Sequence, residues 1–426
     1  MSNDQALSAV GANLNQSSFS SAQVFIPDSL KFKQIKQGLR ARRVPVKIRA
    51  EQQSYSSNGN KLVRLMMPNN ELYDTRKGYF TFNVAGTVTG GTYARFAQGI
   101  HSILNRVRIL FGSTEVEDIR EYNQIASILY EMKQPAQVTA NIGAAMGFDT
   151  QANRETAYAT KDYKIGCMSG VLGTELLPLD NINAGMIIEM YLEDPMACVE
   201  TDGANPQYTL SNLEFHCERL ILDQAYRNYI RDTVRSQGLQ LGFHSWAHYQ
   251  TNMGTGSRQQ LQINHRSGSV NGILHTFRDS SVYTDPQVDN KFLFWDPLTI
   301  QDTQVKVNNS IFPDEPIDCV YASRAEPYQG YLRWTNHWDL DSINAFAPPI
   351  SNQAFATNRF ILIDDFEPYP EVDDIINPMS TEMNNSTILK MLNFTGAIGS
   401  GYQLDSWVEY FTQIGINSNG TIQVLQ

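Results

Sequence analysis

The segment Ile103–Phe111 shows the clearest alternation of apolar and polar residues in the chain, and it predicts a β-strand. A turn at Gly112-Ser113 ends the alternation. Beyond the turn, apolar residues recur every three or four positions, which predicts a helix over 118–133. Glu117 or Asp118 is placed to accept hydrogen bonds from the first N–H groups of this helix. We therefore expect a strand, a turn and a helix in succession.

The same pattern returns about half a chain later, over Gln304–Tyr328, at a constant offset of 198 residues. The matched pairs are Val63 and Leu261, Leu65 and Ile263, Val107 and Val305, Arg108 and Lys306, Ile109 and Val307, Glu117 and Glu315, Ile119 and Ile317, and Tyr130 and Tyr328. One spacing that is kept across several elements indicates an internal duplication of about half the chain.

Short apolar stretches between turn residues predict the remaining strands. In the first half they cover 46–54, 62–67, 79–84, 185–192 and 212–222. In the second half they cover 239–249, 260–265, 272–278, 291–295, 304–308, 360–364, 387–394, 407–411 and 421–425. A helix is predicted over 223–235, and the polar segment 134–170 predicts a long loop.

Each half thus holds about eight short strands, one inserted helix and long loops, which is typical of an eight-stranded antiparallel jelly roll. We expect an all-β fold of two tandem jelly rolls, a double jelly roll, with short inserted helices and an N-terminal arm. The expected division is a basic arm over 1–45, a first jelly roll over 46–223, a linker helix over 224–236 and a second jelly roll over 237–426.

Composition changes this picture mainly at the N-terminus. The chain of 426 residues is 42% hydrophobic and 11% aromatic, so it can bury large cores, and its formal net charge is -11. Residues 1–50 nevertheless carry eight basic and two acidic residues; the basic ones are Lys31, Lys33, Lys36, Arg40, Arg42, Arg43, Lys47 and Arg49. We expect a basic amphipathic helix from Asp28 to about Arg43, suited to a membrane surface or to clamping a neighbouring subunit.

Groups that could carry out chemistry are sparse. The sequence has neither a phosphate-binding glycine loop nor an HxH metal motif, and its four cysteines have no CxxC spacing, so they predict free, mostly buried thiols. His244 and His248 lie in a strand-like stretch, where a structural role is expected. The N-terminus has no pattern of a signal peptide, and no apolar stretch is long enough to span a membrane.

The densest acidic cluster consists of Asp364, Asp365, Glu367, Glu371, Asp373 and Asp374. It is interpreted as a solvated loop, with a carboxylate pair for glycoside hydrolysis or a Ca²⁺ site as alternatives. The aromatic stretch Trp334–Trp338 could stack on sugars, which leaves a carbohydrate-binding protein open as another class. We expect no enzyme activity, no cofactor, no metal and no small-molecule substrate.

Two segments resemble a known family in detail, namely RVRILFGSTEVEDIREYNQIASILYE (Arg106–Glu131) and RLILDQAYRNYIRDTVRSQGLQL (Arg219–Leu241). With the tandem jelly rolls, they are similar to the double jelly-roll major capsid proteins of tailless icosahedral viruses. That lineage includes adenovirus-like, tectivirus-like and polinton-like viruses and the nucleocytoplasmic large DNA viruses.

The resemblance implies a homotrimer that forms a pseudo-hexameric capsomer in the virion shell. The implied partners are neighbouring capsomers and minor capsid or penton proteins. The basic arm would lie on the inner side of the shell, against a membrane, the genome or a neighbouring subunit. A minor spike or vertex protein of the virion, built on the same β sandwiches, is the alternative. A vertex protein would form pentamers or isolated trimers.

Overall fold

The computed structural model describes residues 41–97, 99–133, 143–174, 176–289, 291–293, 295–320, 324–335, 350–366 and 387–425. The chain divides into two compact units, residues 1–41 and residues 42–426, and the fold given below is that of the second unit. In the part of the chain before residue 238, the elements are β1 (Ala41–Arg49), β2 (Ser54–Ser56), β3 (Leu62–Met67), β4 (Leu72–Thr89), β5 (Ala94–Phe96), β6 (Leu104–Phe111), β7 (Thr114–Arg120), α1 (Tyr122–Lys133), α2 (Gly143–Met146), α3 (Gln151–Ala159), β8 (Lys161–Ile165), α4 (Gly170–Gly173), β9 (Leu177–Pro178), β10 (Met186–Leu192), α5 (Pro195–Cys198), β11 (Val199–Thr201), β12 (Ala204–Leu222) and α6 (Gln224–Gln237).

After residue 238 the elements are β13 (Leu239–Asn252), β14 (Arg258–Ile263), β15 (Val270–Asp279), α7 (Ser280–Thr284), β16 (Ile300–Val307), β17 (Ser310–Asp318), α8 (Ala325–Trp334), α9 (Asn352–Thr357), β18 (Leu362–Asp365), β19 (Ile388–Phe394), β20 (Tyr402–Ile416) and β21 (Ile422–Leu425). Short 3₁₀ helices cover Ile100–Ile103, Leu179–Asn181 and Lys291–Leu293.

The two halves repeat one sheet topology. The first half has sheets of order β1-β12-β4-β8 and β3-β10-β6-β7, and the second half has sheets of order β13-β20-β15-β18 and β14-β19-β16-β17. When the strands of these sheets are numbered from 1 to 8 along each half, both halves give the orders 1-8-3-6 and 2-7-4-5. The first strand of each half therefore lies beside the last one, and the second beside the seventh. This antiparallel double-sheet arrangement is a jelly roll, so the predicted double jelly-roll fold is confirmed.

The duplication is also visible in the register of the strands. In the first half, Met190 of β10 pairs with Val63 on one side and Val107 on the other. In the second half, Lys390 of β19 pairs with Leu261 and Val305. The next row is Leu65, Ile188 and Ile109 in the first half, and Ile263, Ile388 and Val307 in the second. The matches proposed for these outer strands at an offset of 198 residues are therefore confirmed.

The match ends at the following hairpin. Val107 faces Ile119 in the first half, but Val305 faces Phe312 in the second, and Ile317 faces Thr303 instead. The register shifts between Thr303 and Val305, because β17 bulges between Phe312 and Ile317. The predicted equivalence of Ile119 with Ile317, and with it that of Glu117 with Glu315, is wrong at the level of strand pairing.

The helix predicted over 118–133 begins later than expected. Residues 114–120 form β7, a strand that pairs with β6, and α1 starts at Tyr122. Glu117 and Asp118 therefore lie in a strand and do not cap the helix. Their side chains have other partners, since Asp118 accepts a hydrogen bond from Arg106 at 2.7 Å. The positive φ of Glu121 marks the change from strand to helix.

Three other predictions need correction. The predicted loop over 134–170 holds α2, α3 and β8 in its described part, and 134–142 lie outside the described residues. Helix α3 was missed because it is short, with a mostly polar sequence that buries Ala157 and Tyr158. The strand predicted over 291–295 is a 3₁₀ helix over Lys291–Leu293. The basic helix predicted to reach Arg43 gives way to β1 from Ala41, and its earlier part lies outside the described residues.

The helix predicted between the two halves is confirmed as α6. The Asp223 side chain caps it by accepting a hydrogen bond from the N–H of Ala225. Gly238, with a φ of 72°, ends it. The chain then enters β13, the first strand of the second jelly roll.

Candidate assembly surfaces

Strand β1 is an edge strand that carries half of the predicted basic residues. Arg43 forms an ion pair with Glu218 at 3.0 Å, and Lys47 and Arg49 contact Glu214 at 3.4 and 3.1 Å. These pairs are exposed, so each stabilises the strand by at most about 1 kcal/mol. Arg42 also lies on β1, whereas Lys31, Lys33, Lys36 and Arg40 lie outside the described residues. The partner of the arm stays a prediction.

The contact between the two jelly rolls is built on another pair of edge strands. Strand β7 of the first jelly roll packs against β13 of the second. Its Glu117 side chain is buried and accepts hydrogen bonds from the Ser245 hydroxyl at 2.8 Å, the Gly170 N–H at 2.8 Å and the Ser169 hydroxyl. Burial raises the pKa of the Glu117 carboxyl, and these donors oppose that rise. One buried carboxylate therefore ties β7, α4 and β13 together.

Arg95 makes a second polar link between the halves. Its guanidinium is buried and forms ion pairs with Glu200 at 2.8 Å, with Glu155 at 2.7 Å and with Asp289. Asp289 belongs to the second half of the chain and the other three residues belong to the first. Sequence analysis did not identify Arg95, because a single arginine in a three-residue strand gives no periodic signal.

Gly170 sits where α4 meets β13, and it offers a direct test of this contact. A Cβ at Gly170 would lie 2.0 Å from the carbonyl oxygen of His244 and 2.6 Å from the Phe243 ring. We expect Gly170→Ala to lower the free energy of unfolding by about 1–3 kcal/mol, because the backbone has to shift. Gly173→Ala is the matched control, since a Cβ there meets nothing within 4 Å. Denaturant unfolding of both variants checks this, and equal losses would contradict the close contact.

Strand β17 is the counterpart of β7 in the second jelly roll, but its environment differs. In β7, Val116, Glu117 and Ile119 are buried. In β17, residues 310–316 are all exposed, including Ile311 at 42% and Phe312 at 36%. Across the described part of the chain, β17 pairs with β16 alone. Among the described residues, the second jelly roll thus has an exposed stretch over 310–316, apart from its contact with α8, where the first jelly roll has a buried edge.

The acidic cluster was predicted to be a solvated loop, and this is wrong for its first residue, Asp364. Asp364 is buried on β18, and both of its carboxylate oxygens lie 2.7 Å from the Lys390 Nζ atom. His275 contacts the same carboxylate at 2.8 Å through Nε2 and the Ser406 hydroxyl at 2.8 Å through Nδ1. Asp365 is exposed, and Glu367, Glu371, Asp373 and Asp374 lie outside the described residues.

The ionic state of this buried group follows from its contacts. Burial alone would raise the pKa of the Asp364 carboxyl, but the Lys390 charge and the His275 hydrogen bond lower it to about 2. Burial, followed by the Lys390 charge, lowers the pKa of His275. The group therefore holds a lysine cation, a carboxylate and a neutral histidine at neutral pH. Because Asp364 is buried and ion-paired, it cannot reach a sugar, as the glycoside hydrolase alternative requires.

The remaining candidate residues are held within the fold. His244 contacts Asn271 at 2.9 Å, and His248 contacts Asp405 at 3.0 Å. Trp334 is half-buried in α8, so it does not form an open stacking surface, and 336–338 lie outside the described residues. Within the described ranges, no three histidine, cysteine or acidic side chains converge as metal ligands. None of the helices described is long and apolar enough to cross a membrane.

The prediction for the cysteines is confirmed. All four are free thiols, and Cys198, Cys217 and Cys319 are buried while Cys167 is half-buried. Burial raises the pKa of Cys167, Cys217 and Cys319 to about 12, so these thiols stay protonated at neutral pH.

The fold is similar to that of several viral proteins. The PBCV-1 virus capsid aligns with a TM-score of 0.64 and 11% identity, over 93% of this chain and 99% of that one. The Faustovirus major capsid protein aligns with a TM-score of 0.59 and 9% identity, over 96% of both chains. The Sputnik virophage structure aligns with a TM-score of 0.57 and 10% identity, over 94% of this chain and 91% of that one. No protein-family model matches the sequence, and no curated protein does either.

These alignments extend over nearly the whole length of both partners, so they include both jelly rolls and the linker between them. Together with the strand order, they show that the chain has the double jelly-roll fold of these viral proteins. At identities of 9–11% the likeness establishes the fold, and the function has to be argued from the surfaces.

Proposed function

We propose that this chain is a major capsid protein, and that three copies form a pseudo-hexameric capsomer of an icosahedral virion shell. The observation that carries this proposal is the repetition of one eight-stranded jelly roll, in strand order and in register, within a single chain. The Faustovirus major capsid protein shares this fold over 96% of both chains, which supports the same role here.

The duplication has a geometric consequence for assembly. Two similar jelly rolls in one chain give the subunit two similar footprints. Three such subunits around a threefold axis supply six jelly rolls, so the outline becomes close to hexagonal and can tile a closed lattice. A vertex protein on a fivefold axis needs only one jelly roll in each subunit, so the duplication favours the tile over the vertex alternative.

The rest of the proposed assembly follows from this role. The partners are two further copies of the chain, neighbouring capsomers and minor capsid or penton proteins, and the location is the virion shell. The proposed division is the basic arm over 1–45, of which residues 41–45 already belong to β1, the jelly rolls over 46–223 and 237–426, and the linker helix over 224–236. The arm residues before β1 would face a membrane, the genome or a neighbouring subunit.

The mass of the purified protein in solution tests this proposal. We expect a species of three chains, each of 48.0 kDa, that appears hexagonal in negative-stain images. Such an interface would bury more than about 2,000 Å², so the trimer should persist on dilution. A pentamer would indicate a vertex protein. A monomer that binds glycans would favour the carbohydrate-binding alternative, and either result would overturn the capsomer.

A further inference from the structure

The contact inside the chain joins two edge strands, and their two counterparts each pair with a single strand among the described residues. Strand β7, at the edge of its sheet in the first jelly roll, lies against β13, which is the edge strand at the start of the second. The counterpart of β7 is β17, and the counterpart of β13 is β1. Across the described ranges, β17 pairs with β16 alone and β1 with β12 alone.

These two counterpart strands carry opposite charges. Strand β1 has the sequence ARRVPVKIR, with four basic residues and no acidic one. Strand β17 has the sequence SIFPDEPID, with three acidic residues and no basic one. The side chains of Arg43, Lys47 and Arg49 are 56%, 63% and 82% exposed, although they contact carboxylates of their own jelly roll. Lys47 and Arg49 share one acidic partner, Glu214. These three side chains together therefore keep a net positive charge.

The shape of β17 favours contact through side chains. Its bulge between Phe312 and Ile317 holds Pro313 and Pro316, and β1 holds Pro45. Prolines and bulges in edge strands prevent a sheet from being extended by backbone hydrogen bonds. The contact between β7 and β13 is also made by side chains, through Glu117 and Ser245. A cleft of about 390 Å³ opens beside Phe312, where an apolar side chain of a partner could enter.

We propose that β17 of one copy packs against β1 of a second copy, repeating between subunits the contact that β7 and β13 make within the chain. Asp314 and Glu315 on the bulge then face Lys47 and Arg49, and Ile311 and Phe312 lose their exposure to water. The contact presupposes the proposed capsid function, because it is the interface that joins the subunits of the capsomer. Each subunit uses a different edge on each side, so the contact is head-to-tail, which is the type of contact that the proposed ring of three copies needs.

Charge reversal tests this interface. We expect Asp314→Lys with Glu315→Lys to raise the concentration at which half of the chains are trimeric by about tenfold or more, because like charges then face each other. Lys47→Glu with Arg49→Glu should do the same. The variant that carries all four substitutions restores opposite charges and should recover trimers. Asp232→Lys, at an exposed residue of α6, is the control for a change of charge elsewhere on the surface. This variant should form trimers at the same concentration as the wild type.

A chemical cross-link tests the same contact in the unmodified protein, so a variant that fails to fold cannot obscure the result. A carbodiimide joins a lysine to a carboxylate only when they touch. Mass spectrometry should find Lys47 joined to Asp314 or Glu315 in the trimer band. Lys47 joined to Glu214, which lies 3.4 Å away in the same chain, is the internal positive control.

The outcomes separate this interface from the proposed function. A wild-type protein that is not trimeric overturns the capsomer, and the interface with it. A trimeric wild-type protein that is unaffected by the reversal on β17 overturns the interface alone. The interface is also overturned if Lys47 is cross-linked to Glu214 but to neither Asp314 nor Glu315. Recovery of trimers by the fourfold variant supports the direct pairing of the two strands.

Discussion

Replacing Lys390 with methionine is expected to lower the free energy of unfolding by about 3–5 kcal/mol. The lysine is fully buried, and it is the cation that holds the Asp364 carboxylate in its ionised form between the two sheets of the second jelly roll. Without it, Asp364 keeps His275 as a hydrogen-bonding neighbour but has lost its counter-charge. A buried carboxylate without a counter-charge then has to take up a proton or lose its place in the core.

The first jelly roll supplies the control for this substitution. Met190 occupies the matching position there, between Val63 and Val107, so a methionine fits this place in a jelly-roll sheet. We expect the double variant Lys390→Met with Asp364→Asn to recover most of the loss, since an amide still accepts the His275 hydrogen bond without carrying a charge. Denaturant unfolding at one protein concentration measures both variants. A single variant as stable as the wild type would show that Asp364 does not depend on Lys390.

The fold was predictable because several of its strands, among them β3, β6, β14, β16 and β19, alternate between buried and more exposed residues. The pairs Val63 and Leu261, and Val107 and Val305, lie in matching rows because the core faces of the two jelly rolls repeat. The second strand of each hairpin was harder to predict. Thr114–Arg120 contains Glu117, whose burial depends on Ser245 far along the chain, and local sequence carries no sign of that partner.

The assembly surfaces were predictable only in part. The basic residues of β1 stand out as a charge run, but the exposed apolar residues Ile311 and Phe312 look like core residues in the sequence. Their exposure depends on how the neighbouring elements pack, and only the structure shows that packing. Lys390 was not visible in the sequence, because the offset of 198 residues places Ile388 opposite Met190, and the strand register is what shows Lys390 in that place. A charge at a duplicated core position indicates a buried partner, although it does not identify Asp364.

Acidification from pH 7 to pH 5 is expected to cost the protein about 4 kcal/mol of stability through two buried histidines, His101 and His265. Burial lowers the pKa of His101 to about 3 and that of His265 to about 4, and it also lowers the pKa of His275. In the unfolded chain these histidines bind protons below about pH 6.5, whereas in the folded chain His101 and His265 stay neutral. The unfolded state therefore gains protons first, and these two histidines each cost about 2 kcal/mol at pH 5, while His275 acts in the same direction.

Other buried groups act on the same pH range, so the contribution of one histidine has to be isolated. Burial raises the pKa of Glu117, Glu121 and Glu131, which works in the opposite sense, because the folded state takes up their protons first. The depressed pKa of Asp364 matters only below about pH 4, where its stabilising charge is lost. Comparison of the wild type with His101→Phe cancels these groups.

The variant His101→Phe removes one titrating group, together with its hydrogen bond to the Ser127 hydroxyl. The imidazole lies against Tyr130 and Phe148, where a benzene ring also packs, and Ser127 keeps its hydrogen bond to the carbonyl of Asn123. Whatever the difference in stability at pH 7, we expect the wild type to lose about 2 kcal/mol relative to the variant by pH 5. Denaturant unfolding at both pH values measures that change. An unchanged difference would mean that His101 takes up its proton in the folded state, which its complete burial opposes.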